Sequence, residues 1–432
     1  MLNKILSNTF FKVFSYNSLV VFGKLISSFI ISKISAIYLG PSGYAIVGNF
    51  KNLLQGILGV SATGFQSGII KYVAESKKDS KKLDLIITSV IGMCLAISLI
   101  LGLCLFCFSD FLSVFILKDA SLAYVLKYLG VCLPFVSLNF VIIYILNGLQ
   151  KLKLYTVIVT ITNLFNALFT VLLIYYWGLK GALLASVIIP ILTFVVSLIF
   201  KEVRYHLLKV FVNIKNVSIV FLKSISVYLI MATYSSILIS LAYLFIRNKI
   251  ISDFNSETAG LWEAVNKISA FYMVFFSSLF TLYLLPKLSV NKTILGYSKI
   301  MKTYFMYIIP LACVLFTSMF LLRSLLIKIF LTNEFKSIEQ FFHLQFIGDF
   351  IKIIAFSLAY QFHAKKMVAF YFISDSILYI SFYIFSLYFI EIFKLEGVFY
   401  AYILSSILYL ITVGVFIYFK NETYLKRNDK KF

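Results

Sequence analysis

The chain has 432 residues, of which 61% are hydrophobic and 13% charged, with a mean hydropathy of +0.98. A soluble domain carries about 25% charged and about 45–50% apolar residues, so there is too little polar sequence here to cover a soluble core. The net charge of +22 suggests nucleic acid at first sight, and its placement along the chain decides against that partner.

Twelve apolar segments follow one another, at roughly 14–38, 42–70, 83–108, 119–146, 152–176, 180–200, 217–246, 256–286, 298–322, 337–362, 367–390 and 395–419. Runs of about 20 apolar residues separated by short polar stretches predict a polytopic, all-α membrane protein. Barrel strands would alternate over about 10 residues instead. The first segment is no cleaved signal peptide, because Lys24 and Lys33 interrupt it and no small-residue cleavage pattern precedes a polar domain. The five cysteines, among them Cys94, Cys104, Cys107 and Cys132, lie in apolar surroundings, and CLFC (Cys104 and Cys107) has no second ligand pair nearby; this pair reads as small hydrophobes. His206, His343 and His363 are too scattered for a metal site. The sequence implies neither metal nor cofactor.

With the N-terminus inside, the cytoplasmic ends and loops hold 25 Lys/Arg, and the opposite side holds 8, among them Lys118, Lys180, Arg247, Lys249 and Lys394. That is the positive-inside asymmetry, and it puts both termini in the cytoplasm. The basic charge therefore reports topology, with attraction to anionic membrane lipids as a consequence. Loops of at most about 20 residues leave no room for an extramembrane catalytic domain, which weakens an enzyme reading.

An internal repeat divides the chain near residue 210, giving halves 1–210 and 211–432. Gly43 and Asn49 match Gly260 and Asn266 at an offset of 217; Gly181 to Ala185 matches Gly397 to Ala401 at 216. Tyr155 and Tyr371, also 216 apart, each follow a lysine pair. Six spans per half return the chain to the same side, so the two lobes are expected to be related by a pseudo-twofold axis along the membrane normal. Parallel repeats of this kind enclose a substrate path in transporters.

Nine charges stand out as embedded away from the segment ends: Lys24, Lys33, Lys51, Lys127, Lys267 and Lys352 against Glu263, Asp349 and Asp375. A charge at mid-membrane costs about 2.5–3.5 kcal/mol even on lenient scales, so such residues face a cavity or a partner unless they snorkel from an end, as Lys127 is placed to do. Lys24 and Lys33 are nine residues apart, which at about 100° per residue puts them on opposite faces. Lys51 follows Gly48 and precedes Asn52; it meets either a carbonyl or an anion, and the neighbouring glycines serve close packing or bending. Glu263 and Lys267 are spaced i,i+4 and Asp349 and Lys352 i,i+3, so each pair can neutralise itself. Asp375 has no close sequence partner and is placed to accept a proton or to balance a lysine. A net +3 made of lysine suits an anionic substrate held transiently. GPSGY lacks the spacing and Lys-Ser/Thr ending of a P-loop, so nothing supports ATP hydrolysis.

Three stretches carry a resemblance: GPSGYAIVGNFKNLLQGILGVSATGFQSGIIKYVAE, GLWEAVNKIS running into FTLYLLPKLS, and FHLQFIGDFIKIIAFSLAYQFHAKK. They resemble the O-antigen and enterobacterial-common-antigen flippases of the multidrug/oligosaccharidyl-lipid/polysaccharide exporter superfamily, over essentially the whole chain. The resemblance implies a V-shaped transporter with six helices in each of two lobes, in the inner membrane of a Gram-negative bacterium. It implies an undecaprenyl-pyrophosphate-linked oligosaccharide as substrate, moved from the cytoplasmic to the periplasmic leaflet. Lys24, Lys33 and Lys51 stand at basic positions of the family, although the position of Lys51 is commonly arginine there. Lys267 departs from the family's pattern and marks either substrate specificity or a partner for Glu263. Gly348 and Asp349 match the family's Gly-Asp, with Lys352 following.

The expected substrate-binding set is Lys24, Lys33, Lys51, Asn49, Lys267, Asn266 and Lys352, with Glu263, Asp349 and Asp375 for coupling or charge balance. No covalent chemistry is expected, and the expected unit is a monomer whose partners include a polysaccharide polymerase and a chain-length regulator. The rival readings are a multidrug or small-solute exporter of the same fold, and a noncatalytic membrane scaffold.

Overall fold

The computed structural model describes residues 9–212, 218–284, 287–288, 293–365 and 367–429, and all regular structure among them is helical. In chain order the main helices are α1 (Thr9–Ser61), α2 (Gln66–Ser76), α3 (Ser80–Cys107), α4 (Ala123–Gly148), α5 (Leu152–Ser197), α6 (Lys201–Val212) and α7 (Ile219–Asp253). After these come α8 (Ser256–Leu279), α9 (Ile294–Leu321), α10 (Arg323–Phe330), α11 (Phe342–Ala364), α12 (Val368–Phe393) and α13 (Leu395–Asp429). Among the described residues nine helices are long and apolar enough to cross a membrane.

Two of the nine are too long for one crossing, since about 20 residues suffice. α1 has 53 residues and α5 has 46. Each is broken by one glycine at positive φ: Gly40 at φ 61°, ψ −173° in α1, and Gly178 at φ 53°, ψ −129° in α5. Only glycine adopts such angles without a steric penalty. At Lys394, 216 residues after Gly178, the chain takes nearly the same angles without a glycine, φ 55° and ψ −137°, and α13 begins at the next residue. Gly181 and Gly397 follow these breaks at the same interval. Each lies so close to a carbonyl of the preceding helix, Leu173 and Phe389 respectively, that a Cβ would collide with it.

The chain forms two compact units. The first comprises Met1–Leu39 and Ile46–Ser240, the second Gly40–Ala45 and Leu241–Phe432. α7 therefore runs from the first into the second. In the first unit, Phe65, Ile69 and Val73 pack with Ile86, Val90 and Cys94 of α3 and with Val141 and Ile145 of α4. Gly102 and Gly130 bring the backbones of α3 and α4 into contact, the small-residue approach used between membrane helices. The glycines after Lys51 act in the same way. Gly59 packs on Ser236 of α7, and its carbonyl accepts from Thr233 Oγ1 at 3.0 Å.

Asp79 caps α3 by accepting from the Lys82 amide at 3.1 Å. α6 lies against α3 through a bond from Lys209 Nζ to Asp84 at 2.7 Å. In the second unit the Gly40–Ala45 segment is held on α8, where Gly260 sits against the Pro41 carbonyl too tightly for any side chain. Tyr44 adds an edge-on contact with Phe335. The turn signal GPSGY and the glycine of GLWEAVNKIS thus meet in one contact.

One expectation is corrected here. Arg247 and Lys249, counted from sequence as loop charges, lie inside α7. Arg247 is fully buried, and Lys249 pairs with Asp253 at 3.1 Å and Glu391 at 3.7 Å. The helix can continue past its apolar run because Glu263 supplies a counter-charge for Arg247.

Candidate functional site

In the first unit the embedded charges are lysines on two stretches of α1. Leu19, Phe22 and Ile26 are exposed and mark the face of α1 suited to lipid. At about 100° per residue Lys24 falls on the opposite side from these three, and its side chain is exposed. Lys33 falls on the side of Phe22 and Ile26 and is half-buried. Lys51 is half-buried, with exposed Gln55 one turn further on. Asn49 is fully buried and donates from Nδ2 to the Ile116 carbonyl at 2.7 Å. Lys127 reaches Asp110 at 3.4 Å with both groups well exposed, in keeping with a lysine near the end of its helix.

The second unit holds a polar cluster centred on Asp349, which is fully buried on α11. Its carboxylate accepts from Ser269 Oγ at 2.7 Å, Gln345 Nε2 at 3.0 Å and the Tyr402 hydroxyl at 2.6 Å, and also from the Tyr272 hydroxyl. These four donors come from three helices, α8, α11 and α13, and tie them together at one buried carboxylate. Gly348 has a direct part in this, because a Cβ there would collide with the ring of Tyr402. The Gly-Asp pair is thus one device: the glycine admits the tyrosine, and the aspartate accepts its hydrogen bond. Lys352, expected to neutralise Asp349, instead places Nζ over the rings of Tyr402 at 4.9 Å and Phe356 at 5.4 Å. It remains within electrostatic reach of both Asp349 and the buried Asp375.

Glu263 forms an ion pair with Arg247 of α7, whose guanidinium lies 5.4 Å from the Trp262 ring. Tyr243 stacks on the same ring with centroids 5.5 Å apart. Asn266 donates to the Trp262 carbonyl at 3.0 Å, and Lys267 beside it is half-buried. The balance of charge therefore differs between the units. In the second, the embedded Arg247, Lys267 and Lys352 equal Glu263, Asp349 and Asp375 in number. The positive surplus belongs to the first unit, on Lys24, Lys33 and Lys51, once Lys127 is set against Asp110.

A family model described as "Polysaccharide biosynthesis protein" matches residues 10–292, more than half of the chain. This chain belongs to the polysaccharide biosynthesis protein family. Two named relatives match nearly its whole length. The Lipid III flippase of Escherichia coli (strain K12) is 22% identical over 410 residues, covering 92% of this chain and 96% of the relative. The Lipid III flippase of Shigella flexneri matches to the same extent. Among solved structures, a multidrug resistance MATE family transporter of the MOP superfamily, inward-facing, aligns with a TM-score of 0.73 at 16% identity, over 93% of this chain and 96% of that one. The Lipid II flippase MurJ, inward closed, aligns with a TM-score of 0.67 at 18% identity, over 93% and 86%. The chain therefore has the fold of those transporters. Its relatives are transporters by name, in agreement with the expectation that it is no enzyme.

Sequence reasoning missed Arg247, Ser269, Tyr272, Gln345 and Tyr402 in this family member. Arg247 had a usable signal: apolar sequence resumes beyond it at Ile250 and Ile251, and Glu263 on the next helix offers the complementary charge. The tyrosines had none, since 29 are spread along the chain.

Proposed function

We propose that this protein moves a lipid-linked oligosaccharide, anchored on undecaprenyl pyrophosphate, from the cytoplasmic to the periplasmic leaflet by alternating access. The observation that carries the reading is Lys24, an exposed ammonium in a membrane helix on the side away from the lipid-facing Leu19, Phe22 and Ile26. An exposed charge there needs water or an anion, because hydrocarbon would cost it about 2.5–3.5 kcal/mol. Lys33 and Lys51 raise the positive charge of the same unit, and the names of the two relatives add support. The pyrophosphate is the anion in this reading. Its polyprenyl chain stays in lipid, where each CH₂ gains about 0.8 kcal/mol.

The proposal includes twelve spans in two six-helix lobes, 1–210 and 211–432, related by a pseudo-twofold axis. Counting α1 and α5 as two crossings each supports it, as does α8, which is long enough at 24 residues but more polar. The matched turns at Gly178 and Lys394 also favour the repeat. Both termini are cytoplasmic, the membrane is a bacterial inner membrane, and the working unit is a monomer. An O-antigen or related surface-glycan unit is the cargo, delivered to a polymerase and its chain-length regulator. Lys24 and Lys51 meet the pyrophosphate in this scheme. Glu263, Asp349 and Asp375 balance charge within the second lobe.

The test is transbilayer movement of a fluorescent undecaprenyl-pyrophosphate oligosaccharide in vesicles holding the purified protein. Lys24→Arg keeps movement near the wild-type rate, Lys24→Ala slows it, and Lys24→Glu stops it. Unchanged movement with Lys24→Glu, at equal protein in the vesicles, overturns the proposal. The multidrug-exporter reading draws on the MATE-like fold. It needs acids ready to hold a cation, whereas Asp349 is engaged by four donors and Glu263 by Arg247.

A further inference from the structure

The first half of α5 carries an unusual run of uncharged polar residues for a membrane helix: Thr156, Thr160, Thr162, Asn163, Asn166 and Thr170. Between residues 154 and 174 every exposed residue is apolar, namely Val157, Leu164, Leu168 and Leu172. Their spacing of seven, four and four places them on one face, the face suited to lipid. At about 100° per residue, Asn163 and Asn166 lie well away from Leu164 and Leu168 respectively, and both are half-buried.

The two carboxamides are oriented. Asn163 donates from Nδ2 to the Val20 carbonyl of α1 at 3.5 Å, and the same amide lies beside Gly23 of α1. The Asn163 Oδ1 is thereby turned away as an acceptor. Thr170 Oγ1 donates to Asn166 Oδ1 at 3.2 Å, which fixes the second carboxamide with its amino group as donor. Val20, Gly23 and Ser27 share one face of α1 at i, i+3 and i+7, so the stripe runs beside the helix that bears Lys24. Around it, the hydroxyls of Ser27, Thr156 and Thr160 are enclosed without a hydrogen-bond partner among the described residues. Ser27 and Thr156 are only 3% and 5% exposed. Each such group costs about 1–3 kcal/mol, and an apolar residue in its place would cost nothing in a membrane core. Fold stability alone gives no reason to keep them.

We propose that Asn163 and Asn166 read the sugar part of the cargo, with Thr170 as a positioning residue for Asn166. The inference rests on the lipid-linked oligosaccharide reading above and adds to it the place where the glycan is recognised. A carboxamide acceptor and a carboxamide donor, both uncharged, suit the hydroxyls of a neutral glycan, each of which both donates and accepts. They have nothing to offer a phosphate that Lys24 does not offer better. Sites built to hydrogen-bond a substrate hydroxyl discriminate strongly, because their own polar groups are left unmatched without it.

The experiment uses full-length protein in vesicles and two fluorescent probes: undecaprenyl pyrophosphate bearing an uncharged trisaccharide, and the same lipid bearing no sugar. Asn163→Ala/Asn166→Ala is expected to slow the trisaccharide lipid about tenfold, equivalent to about 1.4 kcal/mol, and to leave the sugar-free lipid within about twofold of wild type. Thr170→Val gives the same selective loss in smaller measure. Equal loss on both probes, or no loss on either, overturns the inference. Asn163→Ser/Asn166→Ser keeps hydrogen-bonding groups and serves if the alanine pair fails to fold; a loss equal on both probes is again contrary. Wild-type protein that moves neither probe refutes the transport reading itself, and is thus distinguishable from failure of the sugar-reading face.

Discussion

Glu263→Gln removes the carboxylate that pairs with a guanidinium having no exposure at all. Arginine does not lose its proton in proteins, so the variant leaves a buried cation facing a neutral amide. Breaking a buried pair in this way costs about 3–5 kcal/mol. For a unit of this size that is a fall on the order of 10 °C in the unfolding temperature. Arg247→Met is expected to cost less, because Glu263 is 16% exposed and so less completely shut off from water than Arg247. The double variant Arg247→Met/Glu263→Gln is expected to be more stable than Glu263→Gln alone, since no charge is then stranded. Trp262 lies under the guanidinium, so its fluorescence follows unfolding at the site itself once Trp177 is replaced by Phe. A Glu263→Gln variant that melts within about 2 °C of the parent, or a double variant that is less stable than either single one, refutes the reasoning.

The matched turns give opposite expectations. Gly178→Ala places a side chain at φ 53° and loses about 1–3 kcal/mol, whereas Lys394→Gly relieves the same conformation and gains up to about 1 kcal/mol, both read by thermal unfolding. Gly348→Ala pushes the Tyr402 ring off Asp349 and is expected to cost about 1–3 kcal/mol; Tyr402→Phe, which removes one of four donors, costs about 1.5–3 kcal/mol in the same assay. His206 on α6 is held neutral, its pKa lowered below 6.5 by burial, with Asp84 and Glu202 opposing and Lys209 and Lys151 reinforcing the shift. The unfolded state then binds more protons, so the contribution is complete above pH 6.5 and is lost as pH falls through the lowered folded value. Hydrogen exchange in α6 should rise on acidification below about pH 6.5 and show no such rise in His206→Phe.

The segments themselves were legible because a membrane span writes itself in hydropathy over about 20 residues. Gly-Pro at 40–41 announced a break in α1, and the Gly181–Gly397 match proved to mark turns of the same backbone geometry. Sequence spacing was a poor guide to ionic partners. Glu263 has a partner on the preceding helix, Arg247, which spacing within its own helix does not record. Asp349 illustrates the same limit, since three of its four donors come from other helices and local periodicity carries no record of them. Asn49, half of the repeat match with Asn266, donates to the Ile116 carbonyl 67 residues away, a partner that sequence spacing does not record.

The most direct test of the account compares two cargoes in the same vesicles of wild-type protein: a fluorescent undecaprenyl-pyrophosphate trisaccharide and a lipophilic cationic dye. Movement of the lipid-linked glycan between leaflets, faster than in protein-free vesicles and without transport of the dye, is the predicted result. Dye transport with no acceleration of the glycan lipid would contradict it.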